Sequence, residues 1–374
     1  MRRPAFALAA LVLAACGDGG PSSSTPPPAC AAADALWVAS DYTSSGVGAL
    51  GPAGLVTSTV GRVDLGADPA LAVSRGRAFY VARDLDAIFE LDPRCGTPLR
   101  RYGAHVASHT GSSDPQDVGV ASDGSLWVPL YDVASVLVIH PDGTTRSIDL
   151  SSYDVDGNPQ AMGIAMVDTP AGEKAFVPLQ RLTDSALYRS ERASTMLRVD
   201  VASATVDAQV TLAGRNPFGM TVAGSTIWLA DAGNFDAADE PLAGVERFDT
   251  STLTTALIVS EPELGGSVAE VAVHGDCGAA IVADATPNVN ATSLATFDAA
   301  TDKVLLPAAR SPLATPGFDL QGLTWLGGSL GVGERVRAAS GYPIHTLAAA
   351  ACALTAQPDR IFLPLPPVAV RPGT

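Results

Sequence analysis

The chain has 374 residues, and its 39 acidic and 23 basic residues give a formal net charge of −16. That charge repels phosphate backbones, which argues against DNA or RNA as a partner. Hydrophobic residues make up 47% of the sequence, enough to build a sizeable core.

The first predicted element is a signal peptide over residues 1–16. Arg2 and Arg3 precede a short apolar stretch, which is followed by the motif Leu-Ala-Ala-Cys at residues 13–16. The stretch is too short to span a bilayer and fits the hydrophobic region of a secretory signal. These features resemble the lipobox of bacterial lipoproteins. The resemblance implies that Cys16 receives a lipid and becomes the mature N-terminus. The alternative is an ordinary signal peptide with a chance cysteine.

The second predicted element is a flexible tether over residues 17–34, built mostly from Gly, Ser, Thr and Pro. Such residues bury little surface and stay disordered or partly extended. Residue 17 is Gly and not the Asp that marks inner-membrane retention in some bacteria. We therefore expect a lipid-anchored protein of the cell envelope, at the outer membrane or cell surface, that contacts the membrane only through its lipid.

Residues 35–374 are predicted to form one domain of repeated units. A short apolar strand with one large residue recurs at steps of 43, 47, 49, 52, 53 and 50 residues. The recurring positions are Trp37, Tyr80, Trp127, Phe176, Trp228, Ile281 and Gly331. A second alternating strand that ends in a turn follows each of the first six, and an Asx-Pro pair opens several units, as at Asp114 and Asn216.

Period-2 segments at this spacing are typical of four-stranded antiparallel blades. Each blade would expose two apolar faces, so the blades must bury one another around a central axis. The sequence therefore predicts an all-β fold, a β-propeller of about seven blades, with the residues at the Trp37 position packed between blades. Six complete blades with an irregular closing blade are the alternative.

Closure of the ring is predicted at the C-terminus. The unit at Trp37 lacks an opening strand of its own, and residues 360–363 and 366–370 could return to supply it. The prolines at 364, 366 and 367 restrict that pairing to a short or edge segment.

The repeats resemble bacterial propellers of the YVTN and NHL type and, more distantly, the streptogramin-lyase and gluconolactonase-like propellers. The resemblance covers residues 35 to about 355 and depends on stretches such as 114–129 and 199–205. These groups include binding and catalytic proteins, so the resemblance implies a fold and no particular activity.

Four cysteines follow Cys16 in a chain predicted to be exported, which favours two disulfides over a metal site. In the blade model Cys30 and Cys277 lie at turns between first and second strands. Cys95 and Cys352 lie at or near turns between third and fourth strands, one blade further on. The model therefore predicts the pairs Cys30–Cys95 and Cys277–Cys352.

Carboxylates are predicted to cluster on the face of the propeller opposite to the turns that carry the cysteines. They lie at the ends of second strands and within opening strands. These ligand-face candidates are Asp41, Asp84, Asp117, Asp231, Glu270, Asp284, Asp319 and Glu334. A ring of carboxylates at the channel mouth could hold Ca²⁺ through oxygen ligands or attract a cationic ligand. The alternative is that each carboxylate caps its own turn.

Longer loops on that face offer further binding candidates, namely Tyr188, Arg189, Arg192, Asn234 and Phe235. Residues 153–158 read as an Asx-rich turn, with a partial calcium loop as the alternative. His105 and His109 are predicted to be a solvated pair, and His274 and His345 are predicted to be isolated histidines.

Signatures of catalysis are sparse, and no catalytic residue is assigned. The leading hypothesis is an envelope-anchored, non-catalytic binding or scaffold propeller, whose partner is an envelope protein or a small ligand. The alternative is a metal-dependent hydrolase or lyase that acts at an acidic channel mouth.

Overall fold

A computed structural model describes residues 33–51, 54–183, 188–235, 240–284 and 291–373. These residues form seven antiparallel sheets that stand as blades around a ring, a seven-bladed β-propeller. The predicted all-β fold of seven blades is confirmed, and the alternative of six complete blades with an irregular closing blade is wrong, because the closing blade also has four paired strands. None of the described helices is long and apolar enough to cross a membrane.

Each blade has four strands, which are named in order from the innermost to the outermost. Blade 1 comprises Pro367–Pro372, Ala35–Ser40, Ser45–Gly51 and Gly54–Arg62. Blade 2 comprises Pro69–Ser74, Arg77–Ala82, Ala87–Leu91 and Pro98–Gly103. Blade 3 comprises Gly119–Val120, Leu126–Pro129, Ser135–Ile139 and Thr145–Asp149. Blade 4 comprises Ala165–Thr169, Gly172–Leu179, Thr195–Asp200 and Thr205–Thr211.

Blade 5 comprises Pro217–Ala223, Thr226–Asp231, Gly244–Asp249 and Thr254–Ser260. Blade 6 comprises Ser267–His274, Cys277–Ala283, Thr292–Asp298 and Lys303–Leu306, and the short strand Ala314–Thr315 also pairs with its third strand. Blade 7 comprises Leu320–Leu326, Ser329–Glu334, Tyr342–Ala350 and Ala353–Leu363. The short helices among the described residues are Val63–Leu65, Arg83–Leu85, Ser151–Tyr153, Glu261–Leu264 and Ala308–Arg310.

Burial changes from the inner to the outer strands. The second strand of blade 1, Ala35–Ser40, is buried at every residue, because neighbouring blades cover both of its faces. The outermost strand of blade 4, Thr205–Thr211, alternates between exposed and half-buried residues. The continuous apolar runs in the sequence therefore mark second strands, and the alternating segments mark blade edges.

The core consists of seven clusters of buried side chains, and each cluster joins two neighbouring blades. Trp37 packs at the junction of blades 7 and 1, and Trp127 at the junction of blades 3 and 4. Tyr80, Phe176, Trp228 and Ile281 occupy other junctions. The predicted interblade role of these large residues is confirmed.

The C-terminus closes the ring, as expected. Pro367–Pro372 pairs with Ala35–Ser40, so that Val370 lies opposite Trp37. The strand faces the channel at the edge of its sheet, where a residue without an N–H group can be accommodated. Residues 360–363 do not belong to this strand. They lie in the outermost strand of blade 7, because the prolines after Leu363 end that strand before the chain turns inward.

The strands alternate in direction, which gives the ring two distinct faces. The turn face carries the turns from first to second and from third to fourth strands. The loop face carries the connections from second to third strands and those between blades.

On the turn face, Cys277 and Cys352 form a disulfide with a Cα–Cα distance of 5.5 Å, which confirms this predicted pair. The bond joins blades 6 and 7 and closes a span of 75 residues. A bond of that kind stabilises a domain by about 2–4 kcal/mol. Cys95 is also disulfide-bonded. Its predicted partner Cys30, like Cys16, lies outside the described residues, so that pairing stays a prediction.

Candidate functional site

The loop-face carboxylates Asp41 and Asp84 cap turns. Asp41 accepts hydrogen bonds from the hydroxyl and amide of Thr43 at 2.7 and 2.9 Å and from the amide of Ser44 at 2.7 Å. These bonds, led by the Thr43 hydroxyl, lower the pKa of Asp41 to about 2. Asp84 accepts the amides of Ala67 and Asp68, in the connection from blade 1 to blade 2.

Two carboxylates in the channel join neighbouring blades. Glu270, on the innermost strand of blade 6, accepts the amides of Gly322 and Leu323 of blade 7, both at 2.8 Å. Gly322 has a φ of +76°, which an L side chain rarely adopts, and its conformation supports this pair of amides. Asp117 likewise accepts the amide of Ile164, near blade 4, at 3.1 Å. Burial raises the pKa of both carboxyl groups, while these amides and the charge of Arg371 oppose part of that shift.

Asp231 does not reach the loop face. It is fully buried beside Glu246, a residue that the sequence analysis did not select. Glu246 accepts the amides of Ala213 and Gly214 at 3.1 and 2.6 Å and the hydroxyl of Thr255. Burial, followed by the proximity of Glu246, raises the pKa of Asp231 well above its ordinary value, and burial also raises the pKa of Glu246.

The other three ligand-face candidates have unrelated surroundings. Asp284 is exposed, and its amide donates to the carbonyl of Ala291. Asp319 lies half-buried ahead of the innermost strand of blade 7. The carboxylate of Glu334 lies 2.6 Å from Nε2 of His345.

Two histidines have partners that the sequence analysis missed. His345 is buried against Glu334, because the pairing of Val332 with His345 places Glu334 diagonally across from it on the same side of the sheet. His105 is not simply solvated, since its Nδ1 lies 2.8 Å from the carboxylate of Asp86. Strand register was the signal that could have identified the first pair.

The long loops of blades 4 and 5 contain ion pairs and hydrogen bonds. Arg192 contacts the carboxylates of Asp154 and Asp156 at 2.6 and 2.7 Å. The predicted Asx-rich turn is present, since Asp156 also accepts the amide of Asn158. Asn234 accepts the amide of Ser190. Tyr188 is exposed, and Arg189 accepts the amides of Thr183 and Glu191 through its carbonyl.

Three phenylalanines meet on the loop face beside the channel. The ring of Phe235 lies 5.1 Å from that of Phe218 and 5.8 Å from that of Phe318, centroid to centroid, in edge-to-face geometry. We call these three residues the aromatic cluster. Phe218 and Phe318 were not among the predicted residues.

A metal site is not evident in the part of the chain that the structure describes, where no group of three or more His, Cys, Asp or Glu side chains could hold an ion. The possible Ca²⁺ ring therefore has no ligand set among those residues.

A cavity of about 280 Å³ opens at the turn-face end of the channel, opposite to the face that the sequence analysis favoured. Innermost strands of blades 5, 6, 7 and 1 line it, with Arg371 and Glu270 among the polar residues and Met220, Val222 and Trp325 among the apolar ones. A second cavity of about 380 Å³ follows it outward along the disulfide, and His274 and Trp325 border both.

No protein-family model and no curated protein sequence matches the chain. Among solved structures, it is similar to a catalytically inactive virginiamycin B lyase from Staphylococcus aureus with quinupristin, with a TM-score of 0.52 and 12% identity over 80% of this chain and 92% of that chain. It is similar to the WD40 repeats of RRP9, with a TM-score of 0.53 and 11% identity over 81% of this chain and 82% of that one.

The dihydro-heme d1 dehydrogenase NirN is also similar, with a TM-score of 0.53 and 12% identity over 91% of this chain and 67% of that one. At such identities a likeness concerns the fold alone. The expected resemblance to propellers of the streptogramin-lyase type is confirmed at that level: the chain is a seven-bladed β-propeller.

Proposed function

We propose that the chain is a lipid-anchored envelope protein that binds a partner through the loop face of its propeller, without catalysis. The observation that carries this proposal is that four of the predicted ligand-face carboxylates are engaged in hydrogen bonds that stabilise the fold. Asp41 and Asp84 hold turns together, and Asp117 and Glu270 hold neighbouring blades together.

A general acid or base must reach the atom whose proton it moves. The oxygens of Glu270 already accept two backbone amides, and His345 is buried against Glu334. These groups therefore support a structural role better than a hydrolase or lyase reaction.

The aromatic cluster supports a binding role. Phe218 is 37% exposed, and the exposed Tyr42 lies under the guanidinium of Arg335 at 4.8 Å, also on the loop face. Exposed aromatic rings and arginines are enriched where proteins bind one another. An envelope protein or a small amphipathic ligand fits such a surface.

Anchoring is tested at Cys16. In a bacterial host, we expect the wild-type chain to incorporate an alkyne-labelled fatty acid and to sediment with membranes, because the lipobox cysteine would carry the lipid. The variant Cys16→Ser should lose the label and become soluble, whereas Ser23→Ala, in the predicted tether, should retain both. Equal labelling of the two variants would contradict lipidation at Cys16. Fractionation of Gly17→Asp distinguishes inner-membrane from outer-membrane sorting.

Binding through the loop face is tested by affinity capture from envelope extracts with the full chain. We expect Phe218→Ser to reduce recovery of a specific partner at least tenfold, because the variant loses exposed aromatic surface. The matched control is Leu99→Ser, at a residue 63% exposed on the outermost strand of blade 2. Equal recovery by the two variants, or turnover of a lactone or carbohydrate substrate by the wild type, would overturn the proposal.

A further inference from the structure

The cavity at the turn-face end of the channel combines a guanidinium with an apolar wall. We propose that it binds a small monocarboxylate with an apolar or aromatic body, and that Arg371 holds the carboxylate. This site is separate from the aromatic cluster, at the other end of the channel, and does not depend on the proposed function.

The position of the cavity follows from the strands that line it. Val222, His274 and Trp325 come at the ends of innermost strands, next to the turns of blades 5, 6 and 7, and Arg371 comes near the end of the closing strand. Glu270 lies midway along its strand and therefore deeper in the channel. A ligand would enter past His274 and Trp325, whose rings lie 5.7 Å apart.

The guanidinium of Arg371 has N–H donors that are not engaged in hydrogen bonds with the described residues. Among the described residues, its guanidinium makes one hydrogen bond, from Nη1 to the carbonyl of Val370 at 3.0 Å, and no ion pair. Nε and Nη2 are thus available to a ligand. A guanidinium matches the two oxygens of a carboxylate in a bidentate pair, which strengthens and orients the contact.

The two carboxylates of the channel do not form such a bidentate pair with Arg371. Glu270 and Asp117 interact electrostatically with Arg371, yet each is held by backbone amides of the next blade. Their negative charges also disfavour a ligand with two or more negative charges. Each negative charge on a ligand is attracted by Arg371 and repelled by these carboxylates wherever they are ionised, so a monoanion meets less repulsion than phosphate or a dicarboxylate.

The remaining lining sets the body of the ligand. Met220 and Val222 on blade 5 and Trp325 on blade 7 supply an apolar wall. A volume of about 280 Å³ accommodates one ring with a short acidic arm. Apolar walls with a few placed polar groups are the usual composition of small-ligand sites.

The experiment is calorimetric titration of the full-length chain with acetate, phenylacetate and indole-3-acetate. We expect saturable 1:1 binding of at least one aromatic acid, and binding at least tenfold weaker for phenylacetamide, which lacks the charge. Arg371→Gln should weaken binding at least tenfold and Arg371→Lys less so, because a lysine retains the charge without the bidentate geometry. The matched control is Arg94→Gln, at an exposed turn of blade 2, which should bind like the wild type.

A second variant keeps the test decisive if Arg371→Gln does not fold. Val222 is 46% exposed at the cavity rim, so Val222→Trp should fill the cavity without touching the core. It should abolish binding while leaving the unfolding midpoint close to that of the wild type. The proposal is overturned if no probe binds the wild type, if phenylacetamide or inorganic phosphate binds as well as phenylacetate, or if Val222→Trp binds normally.

Discussion

Replacing Asp231 with Asn is expected to stabilise the protein at neutral and alkaline pH and to flatten the dependence of its stability on pH. Asp231 and Glu246 are both fully buried and adjacent. Ionising both of two adjacent buried carboxyl groups costs a large free energy, so we expect the pair to retain a proton in the folded state. An Asn amide at this position could donate a hydrogen bond to Glu246 without carrying a charge that depends on pH.

The pH range follows from the direction of the shift. The pKa of Asp231 is raised in the folded protein above its ordinary value of 3.8. The folded state therefore holds a proton that the unfolded chain has released, and the free energy of unfolding falls as pH rises above about 4. The wild type should lose about 1.4 kcal/mol per pH unit relative to the variant for as long as the folded pair keeps that proton.

Urea unfolding of both proteins at several pH values between 4 and 9 measures this difference. The control is Asp276→Asn, which changes the net charge by the same amount at an exposed turn of blade 6 and should leave the slope unchanged. Parallel curves for the wild type and Asp231→Asn would show that the buried pair does not retain a proton.

The second large effect is expected at Val370, on the strand that closes the ring. Val370 is fully buried against Trp37, Ile344 and Leu363, so that it joins blades 1 and 7. Val370→Asp places a carboxylate without a partner at that junction, and we expect it to destabilise the fold by about 4 kcal/mol or more.

Thermal and urea unfolding, together with binding of a dye to exposed apolar surface, measure the loss at Val370. The same substitution at Val336, which is 42% exposed in a loop of blade 7, should change stability by no more than about 0.5 kcal/mol. A loss below about 1 kcal/mol for Val370→Asp would mean that the closing strand contributes little to the core.

Arg371, the arginine of the proposed carboxylate site, was missed because the predicted end of the closing strand was wrong by two residues. The sequence predicted that the C-terminus closes the ring but ended that strand at residue 370, whereas the strand is Pro367–Pro372. Arg371 therefore lay outside the predicted element. Prolines on both sides of this strand make its ends ambiguous, since proline restricts pairing without indicating where pairing stops.

The buried acid pair had no comparable signal. Asp231 ends an apolar strand, as Asp41 nearly does, and the two positions look equivalent in the sequence. The difference is the connection ahead of blade 5. Gly214 comes so close to Asp231 that an added Cβ would lie 2.0 Å from its Oδ2, and the connection therefore covers the carboxyl group. Periodicity within one blade carries no information about such a contact.

The sequence by itself determined the propeller, the residues packed between its blades, the origin of its closing strand and the disulfide between Cys277 and Cys352. The propeller and its interblade residues follow from periodicity within each blade, and the closing strand and the disulfide follow from a comparison of equivalent positions in different blades. The order of apolar and turn residues records both directly. Only the tertiary structure decided which carboxylates cap turns, which pair is buried and which cation faces the channel. The partners of those groups come from other strands, connections or blades, and their contacts depend on strand register and loop paths that no local pattern encodes.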